Sequence, residues 1–392
     1  MLLLLSNINS QGQDVIEEAL ELACFFSFYS DVPLSPRLWS LFVQAASCLV
    51  EFALEAWPGV LILGDNLISR DTATFLASAA ASPSYPQTVF EIVRHSLTVD
   101  AHEEDILCAP RLACVVLQNC RGGVDQWLEP YLRLVGERLS KPTSRALRDE
   151  LLVLVANALY YDAAKTLSVL GASAAPLFGE WFGMIFARRK KRETSQHFRS
   201  LAQKRAVALG LVSLLGVPDQ VLPAELVAGM PQILNGVLRV LADFKVEEDE
   251  RAKDLAEEDD DEEGGDDDGD DEEDEEDEGF AVVEADDVTQ RRLRAAARSM
   301  LGGRGGDADD DDDDDDDSDD WGEEEEDAES PLDHVDPFVA LAEAMQALAQ
   351  AAPARAQALA AAGGQQLAEA AALAEVRRRE AAEAEAKKAV ST

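Results

Sequence analysis

From residue 13 to residue 246, apolar positions recur at the spacing of one helix face after another. Val124, Trp127, Leu128, Tyr131, Leu132, Val135 and Leu139 fall at i, i+3, i+4, i+7, i+8, i+11 and i+15, and Asp125, Glu129, Arg133 and Glu137 take the opposite face. That period predicts a helix buried on one side. Leu38, Phe42, Ala45, Leu49 and Phe52 form an earlier stripe, directly after Ser35 and Pro36, residue types suited to the N-cap and the first helical position. Residues 146–161 are apolar almost all round, which predicts the inner member of a packed pair. Further helix starts are predicted at Pro142 and Thr143 and at Glu193 and Thr194.

The connections are short and rich in Pro, Gly, Asp and Ser, as in "SDVPLSP", "AWPG", "SPSYP", "CRGG", "SKPTS" and "LGVPD". No alternating run of β-branched residues predicts a strand. Some ten to twelve helices joined this way, at roughly 40 residues per antiparallel pair, have the period of HEAT repeats. The fold class expected is all-α, an α-solenoid of HEAT/ARM-type helical repeats with long disordered acidic insertions.

Charge divides the chain. Of its 78 acidic and 34 basic residues, 45 and 7 lie in residues 247–329, which leaves a net charge of only −6 for everything else. A segment so charged and so poor in apolar residues is expected to be disordered. The expected organisation is therefore repeats over 1–246, acidic loops over 247–329 with a short helical island near 286–301, and C-terminal helices over 330–392. In the last part, Phe338, Leu341, Ala342, Met345 and Leu348 share a face after Asp336 and Pro337, and an Ala-rich helix is expected over 365–389, ending on Lys387 and Lys388.

The polyanion excludes whole classes of partner. It repels the phosphates of nucleic acid and the surface of anionic membranes, and attracts basic proteins in a salt-dependent way. The candidate cargo-binding residues are Asp259, Asp260, Asp261, Glu262 and Glu263, then Asp309, Asp310, Asp311, Asp312, Asp313, Asp314, Asp315, Asp316 and Asp317, then Glu323, Glu324, Glu325 and Glu326. Trp321 stands alone among them and reads as an anchor that docks the loop or contacts cargo by cation–π and apolar contact. Arg188, Arg189, Lys190, Lys191 and Arg192 form the one dense basic cluster, read as a loop between helices that attracts the acidic insertion intramolecularly.

Catalysis finds little support. His95, His102, His197 and His334 are scattered, and no GxSxG, HExxH, Walker or GxGxxG pattern is present. No cofactor and no metal site is expected. Cys24, Cys48, Cys108, Cys114 and Cys120 are odd in number and lack CxxC spacing, so they are expected to be core thiols of a reducing compartment. Residues 1–5 carry four leucines without the flanks of a signal peptide, and apolar runs such as 206–217 fall short of a membrane span. A soluble intracellular protein is expected.

Four stretches are similar to the C-terminal part of importin-beta-family nuclear import receptors, in the branch of importin seven and importin eight. They are "LQNCRGGVDQWLEPYLRLVGERL" (117–139), "ALYYD" (158–162), "KRAVALGLVSLL" (204–215), and a tail in which an acidic loop holding Asp320 and Trp321 leads to "PLDHVDPF" and "LAEVRRREAAEAEAKK". The resemblance implies a shuttling receptor for basic cargo of histone or ribosomal-protein type, with nuclear pore proteins as further partners. It also implies Ran acting through N-terminal repeats that have no counterpart in this chain. A helical-repeat scaffold of a stable complex and an acidic histone chaperone are the alternative readings.

Overall fold

The computed structural model describes residues 13–51, 56–80, 83–99, 101–103, 106–188, 195–263 and 330–391. Among them are fourteen α-helices and no strand. They are α1 (Gln13–Tyr29), α2 (Pro36–Glu51), α3 (Trp57–Arg70), α4 (Thr72–Ala77), α5 (Tyr85–Thr98), α6 (Cys108–Asn119) and α7 (Asp125–Leu139). After them come α8 (Arg145–Leu170), α9 (Ala174–Phe186), α10 (Leu201–Leu215), α11 (Ala224–Ala228), α12 (Met230–Glu263), α13 (Pro337–Ala351) and α14 (Pro353–Ser391).

Local chemistry sets the boundaries. Ser84 and Ser144 accept hydrogen bonds from Gln87 N and Leu147 N at 3.2 and 3.3 Å and so cap α5 and α8. Ser200 and Gln203 form a reciprocal capping box on α10. Asp336 accepts from Phe338 N and Val339 N, both at 2.9 Å, with Pro337 at the first position of α13 as its sequence foretold. Gly171, at φ 50°, ends α8, and Asp162, at φ −157°, kinks it.

The chain divides into two compact units, residues 1–243 with 328–392, and residues 244–327. In the first unit α1, α3, α6, α8, α10 and α13 follow one another as a row, each packed on the next. A second layer is made by α2, α5 and α7, with α2 packed on α3, α5 on α6 and α7 on α8. Phe182 of α9 meets Gly236 of α12, and Leu234 of α12 meets Gly363 of α14, which continues that layer. Arg111 with Glu150 and Gln118 with Asn157 are pairs 39 residues apart on α6 and α8, so these row helices run parallel. Ser27 and Asn66 are spaced identically on α1 and α3. The all-α repeat stack, with a period near 40 residues, is the architecture the hydrophobic pattern indicated.

Leu147, residues 149–159 and Tyr161 of α8 are all buried, as the nearly unbroken apolar pattern required. By length and composition the stretch 145–186 contains an 18-residue window apolar enough to cross a membrane, with a mean hydropathy of 1.3, where the sequence reading expected the apolar runs to fall short of a span. It is not one continuous helix, since Asp162 kinks it and Gly171 ends α8 before α9 begins. Four of the five cysteines are buried and Cys108 is intermediate. Burial pushes the Cys24 and Cys120 thiols up to about 12.

Three boundaries differ from expectation. The helix placed at Glu193 and Thr194 begins only at Leu201, because residues 195–200 are held by side chains from other helices. Helix α12 continues through Glu263, so the acidic run starting at Glu247 is helical over its first part, not irregular. The Ala-rich final helix starts at Pro353 and is broken at Gly364, φ 50°, beyond which it follows the expected span.

Candidate functional site

The acidic insertion separates two successive helices, α12 and α13, and the chemistry of its two ends defines where it is mounted. On the approach, α12 buries Ile233, Leu234, Val237, Leu238, Val240 and Leu241. Its Asp243 accepts from the Ser195 amide at 3.2 Å and lies 3.1 Å from Arg239 and 3.5 Å from Arg188. Beyond it, within the second unit, Lys245 pairs with Asp249 across one helical turn.

On the return, residues 330–336 form a structured strap. The Ser330 hydroxyl donates to Gln118 Oε1 at 2.9 Å and accepts from the Leu332 amide at 3.1 Å. The Ser330 amide donates to Asp333 at 2.7 Å, and the other oxygen of Asp333 pairs with Arg205. Leu332 is buried between these contacts. Asp336 caps α13 through one oxygen and takes Arg377 of α14 on the other at 2.6 Å, and Arg377 also stacks over the Phe338 ring at 4.7 Å. Gln118 belongs to α6 and Arg205 to α10, the row neighbours of α8 on either side. The strap therefore reaches from α6 to α10. Gln118 is itself oriented by Asn157 of α8, which accepts from its amide at 2.8 Å.

Asp259, Asp260, Asp261, Glu262 and Glu263 fall at the end of α12. Asp309 to Asp317, Trp321, Glu323 to Glu326, and the cluster members Arg189, Lys190, Lys191 and Arg192 lie outside the described residues, as does the island near 286–301. Arg188 is described, and its guanidinium faces Asp243 and donates to the Ile185 carbonyl at 3.3 Å. An antiparallel bridge joins Arg188 to Ser195, so both ends of the basic loop are fixed by α9 and α12.

The sequence reading set His197 among four scattered histidines and gave it no partner. It is buried, and its Nδ1 lies 2.8 Å from Asp149, whose second oxygen accepts from the Phe198 amide at 3.3 Å. Phe198 takes φ 53°, a left-handed conformation imposed by these contacts. A serine, a histidine and an aspartate meet here, but not as a nucleophilic relay. Ser195 Oγ donates to the Met184 carbonyl at 3.3 Å and accepts from the His197 backbone amide at 3.1 Å, so no bond couples hydroxyl to ring. The cluster fastens the α9–α10 connection to α8. Among the described residues no group of three or more His, Cys, Asp or Glu side chains is placed to hold a metal ion.

A stack of helix pairs with a highly charged insertion in the chain between α12 and α13 belongs to the helical-repeat class of folds. The sequence is 34% identical over 249 residues to the importin beta-like SAD2 homolog of Arabidopsis thaliana, covering 63% of this chain and 24% of that relative. It is 28% identical over 231 residues to importin-8 of Danio rerio, 58% of this chain and 22% of that protein. Over 251 residues it is 26% identical to a probable importin-7 homolog of Dictyostelium discoideum, 62% of this chain and 22% of that protein. This chain is thus related to importin-beta-family proteins of the importin-7 and importin-8 branch. It spans about a quarter of the length of these curated relatives or less. No family model matches the sequence, and no solved structure matches it.

Proposed function

We propose that this chain is the cargo-gathering part of a nuclear transport receptor, binding basic proteins of histone or ribosomal-protein type through its acidic insertion. The observation that carries the reading is the mounting. The insertion, with 45 acidic residues over 247–329, is built into a stack related to importins through Asp243 on one side and the strap on the other. A polyanion held this way engages Lys- and Arg-rich chains by many weak contacts that need no fixed geometry. Chemistry is not required of it. In the receptor, Ran in its GTP form would act through repeats outside this chain to release cargo, nuclear pore proteins would be further partners, and the protein would shuttle between cytoplasm and nucleus. Asp309 to Asp317 and Glu323 to Glu326 supply charge, with Trp321 as an anchor.

The test is a pull-down of purified histones and ribosomal proteins by the intact chain and by a chain in which residues 264–329 are replaced by a neutral Gly/Ser linker, across a salt series. Salt-sensitive binding that disappears with the replacement is the expected result. Binding that survives it would assign the insertion to a spacer and the stack to a scaffold. Addition of the remaining repeats and Ran-GTP then separates a receptor, which releases its cargo, from an acidic chaperone, which does not.

A further inference from the structure

Ser330 is followed by Pro331, and its hydroxyl ends a chain of hydrogen bonds whose direction is fixed. The chain starts on backbone that cannot reverse. Asn157 Nδ2 donates to the Val153 carbonyl within α8 at 2.9 Å, which leaves Asn157 Oδ1 as an acceptor. Gln118 Nε2 donates to that oxygen at 2.8 Å, so Gln118 Oε1 is the atom that faces Ser330. The Ser330 hydroxyl must therefore donate, as it does at 2.9 Å. Asp333 adds further acceptors, one oxygen taking the Ser330 amide at 2.7 Å and the other pairing with Arg205. The place that Ser330 fills thus requires a proton, and negative charge brought there meets an amide oxygen and a carboxylate.

We infer that Ser330 is a phosphorylation site for a proline-directed serine kinase, and that its phosphate holds the strap off α6 and α10. Pro331 is exposed and Ser330 half-buried, which puts the pair at the surface of the strap. Leu332 is buried, so the kinase acts on the strap while it is lifted by local opening. Ser330 Oγ then attacks the γ-phosphorus of a magnesium-bound nucleoside triphosphate. Its proton passes to the kinase's base, the bond from that phosphorus to the β,γ-bridging oxygen breaks, and the nucleoside diphosphate leaves. The modified serine has lost the donor that Gln118 requires and carries a charge of about −2 beside Asp333, so docking again would set acceptor against acceptor. The other Ser–Pro pair among the described residues has the opposite sense. Ser35 Oγ accepts from the Arg37 amide at 3.3 Å at the start of α2, where a phosphate would meet a helix N-terminus and a basic side chain. Phosphate on Ser35 should leave α2 in place.

The inference does not depend on the proposed binding of basic polypeptides. Full-length chain is treated with magnesium ATP and a proline-directed serine kinase that is active on a free Ser–Pro peptide. Modified sites are mapped by mass spectrometry, and amide exchange over 330–336 is compared before and after treatment for wild type, Ser330→Ala and Gln118→Ala. Wild type should take phosphate at Ser330 and its strap should then exchange about tenfold faster or more, whereas treatment should leave strap exchange in Ser330→Ala unchanged although Ser35 is still present. In Gln118→Ala the strap lifts more readily and the opposing oxygen is gone. Modification there should run about threefold faster, and phosphate should speed exchange less than in wild type. Absence of phosphate at Ser330 in wild type overturns the site. Phosphate at Ser330 with strap exchange unchanged, as when Arg205 turns from Asp333 to the phosphate, overturns the release. Both of these outcomes are read on wild type, so they stand even where a variant fails to fold.

Discussion

At the scale of single residues the stack is held by side chains whose partners lie one repeat away. The Tyr161 hydroxyl accepts from Gly122 N at 3.0 Å and Val124 N at 3.3 Å and donates to Asp125, so one oxygen closes the turn between α6 and α7. Tyr161→Phe leaves two backbone donors without this acceptor, and Val124 is fully buried. We expect a loss of about 1–3 kcal/mol, read as a lowered urea midpoint with unchanged slope. Burial first, and Asp125 second, push the Tyr161 hydroxyl up to about 12 from 10.0. A raised value favours the neutral form in the folded state. Its stabilisation is therefore complete below pH 10 and lost as pH rises through about 12, a limb that Tyr161→Phe should remove. Glu103 works in the acid range. Burial raises its carboxyl, but the Ser144 hydroxyl and amide and Arg138 outweigh that and leave it below 4.5. Its contribution is present above 4.5 and fades as pH falls through the lowered value, so Glu103→Gln should flatten the acid limb of a stability-versus-pH curve. The "GVDQ" turn and the "ALYYD" segment stand out in the sequence as motifs. That one oxygen of the second closes the first was not legible there, because no local pattern reports a contact across 39 residues.

At the scale of elements α8 and α10 meet backbone to backbone at Gly210. A Cβ at Gly210 would lie 2.5 Å from the carbonyl oxygen and 2.7 Å from the Cα of Ala156, both backbone atoms that cannot swing aside. Gly210→Ala should force the helices apart at a cost of about 1–3 kcal/mol or more, and Ala156→Gly in the same chain should recover little, since the clash is with backbone. Because Arg205 lies on α10, the same substitution should loosen the strap, seen as faster amide exchange over 330–336. Helix faces were legible throughout, since apolar periodicity is a property of each helix alone. Helix starts were legible where the cap was local, as at Asp336, and failed where tertiary contacts decided. Glu193 and Thr194 have the chemistry of a helix start, yet Asp149 and Asp243 hold residues 195–198 outside helical geometry from 48 and 49 residues away. The end of α12 failed for the opposite reason. Composition reads 247–263 as a charge run, but a buried stripe from Ile233 to Leu241 has already nucleated that helix, and extension adds one hydrogen bond per residue fixed.

At the scale of the whole molecule, the repeat architecture and the relation to importins were both readable, because a stack of similar units repeats its signal and several motifs in order reinforce each other. The strap was not. "PLDHVDPF" showed a helix start and nothing of Gln118 or Arg205, which lie 212 and 128 residues from their partners. The charge of the insertion and the contacts of the strap are thus encoded in different places, and they should separate experimentally. Attraction between a polyanion and a basic chain weakens with salt in proportion to the charges engaged, whereas the strap contributes one shielded ion pair. Changing Asp309 to Asp317 into asparagines removes nine of the 45 acidic residues of the insertion without touching the stack. The logarithmic dependence of poly-lysine affinity on salt should become distinctly shallower in that variant. In Arg205→Asp, which leaves the tract whole, the slope should stay at the wild-type value. Equal slopes for wild type and the asparagine variant would mean that those nine aspartates do not meet the ligand, and would move the binding charge to Glu323 to Glu326 or to the acidic end of α12.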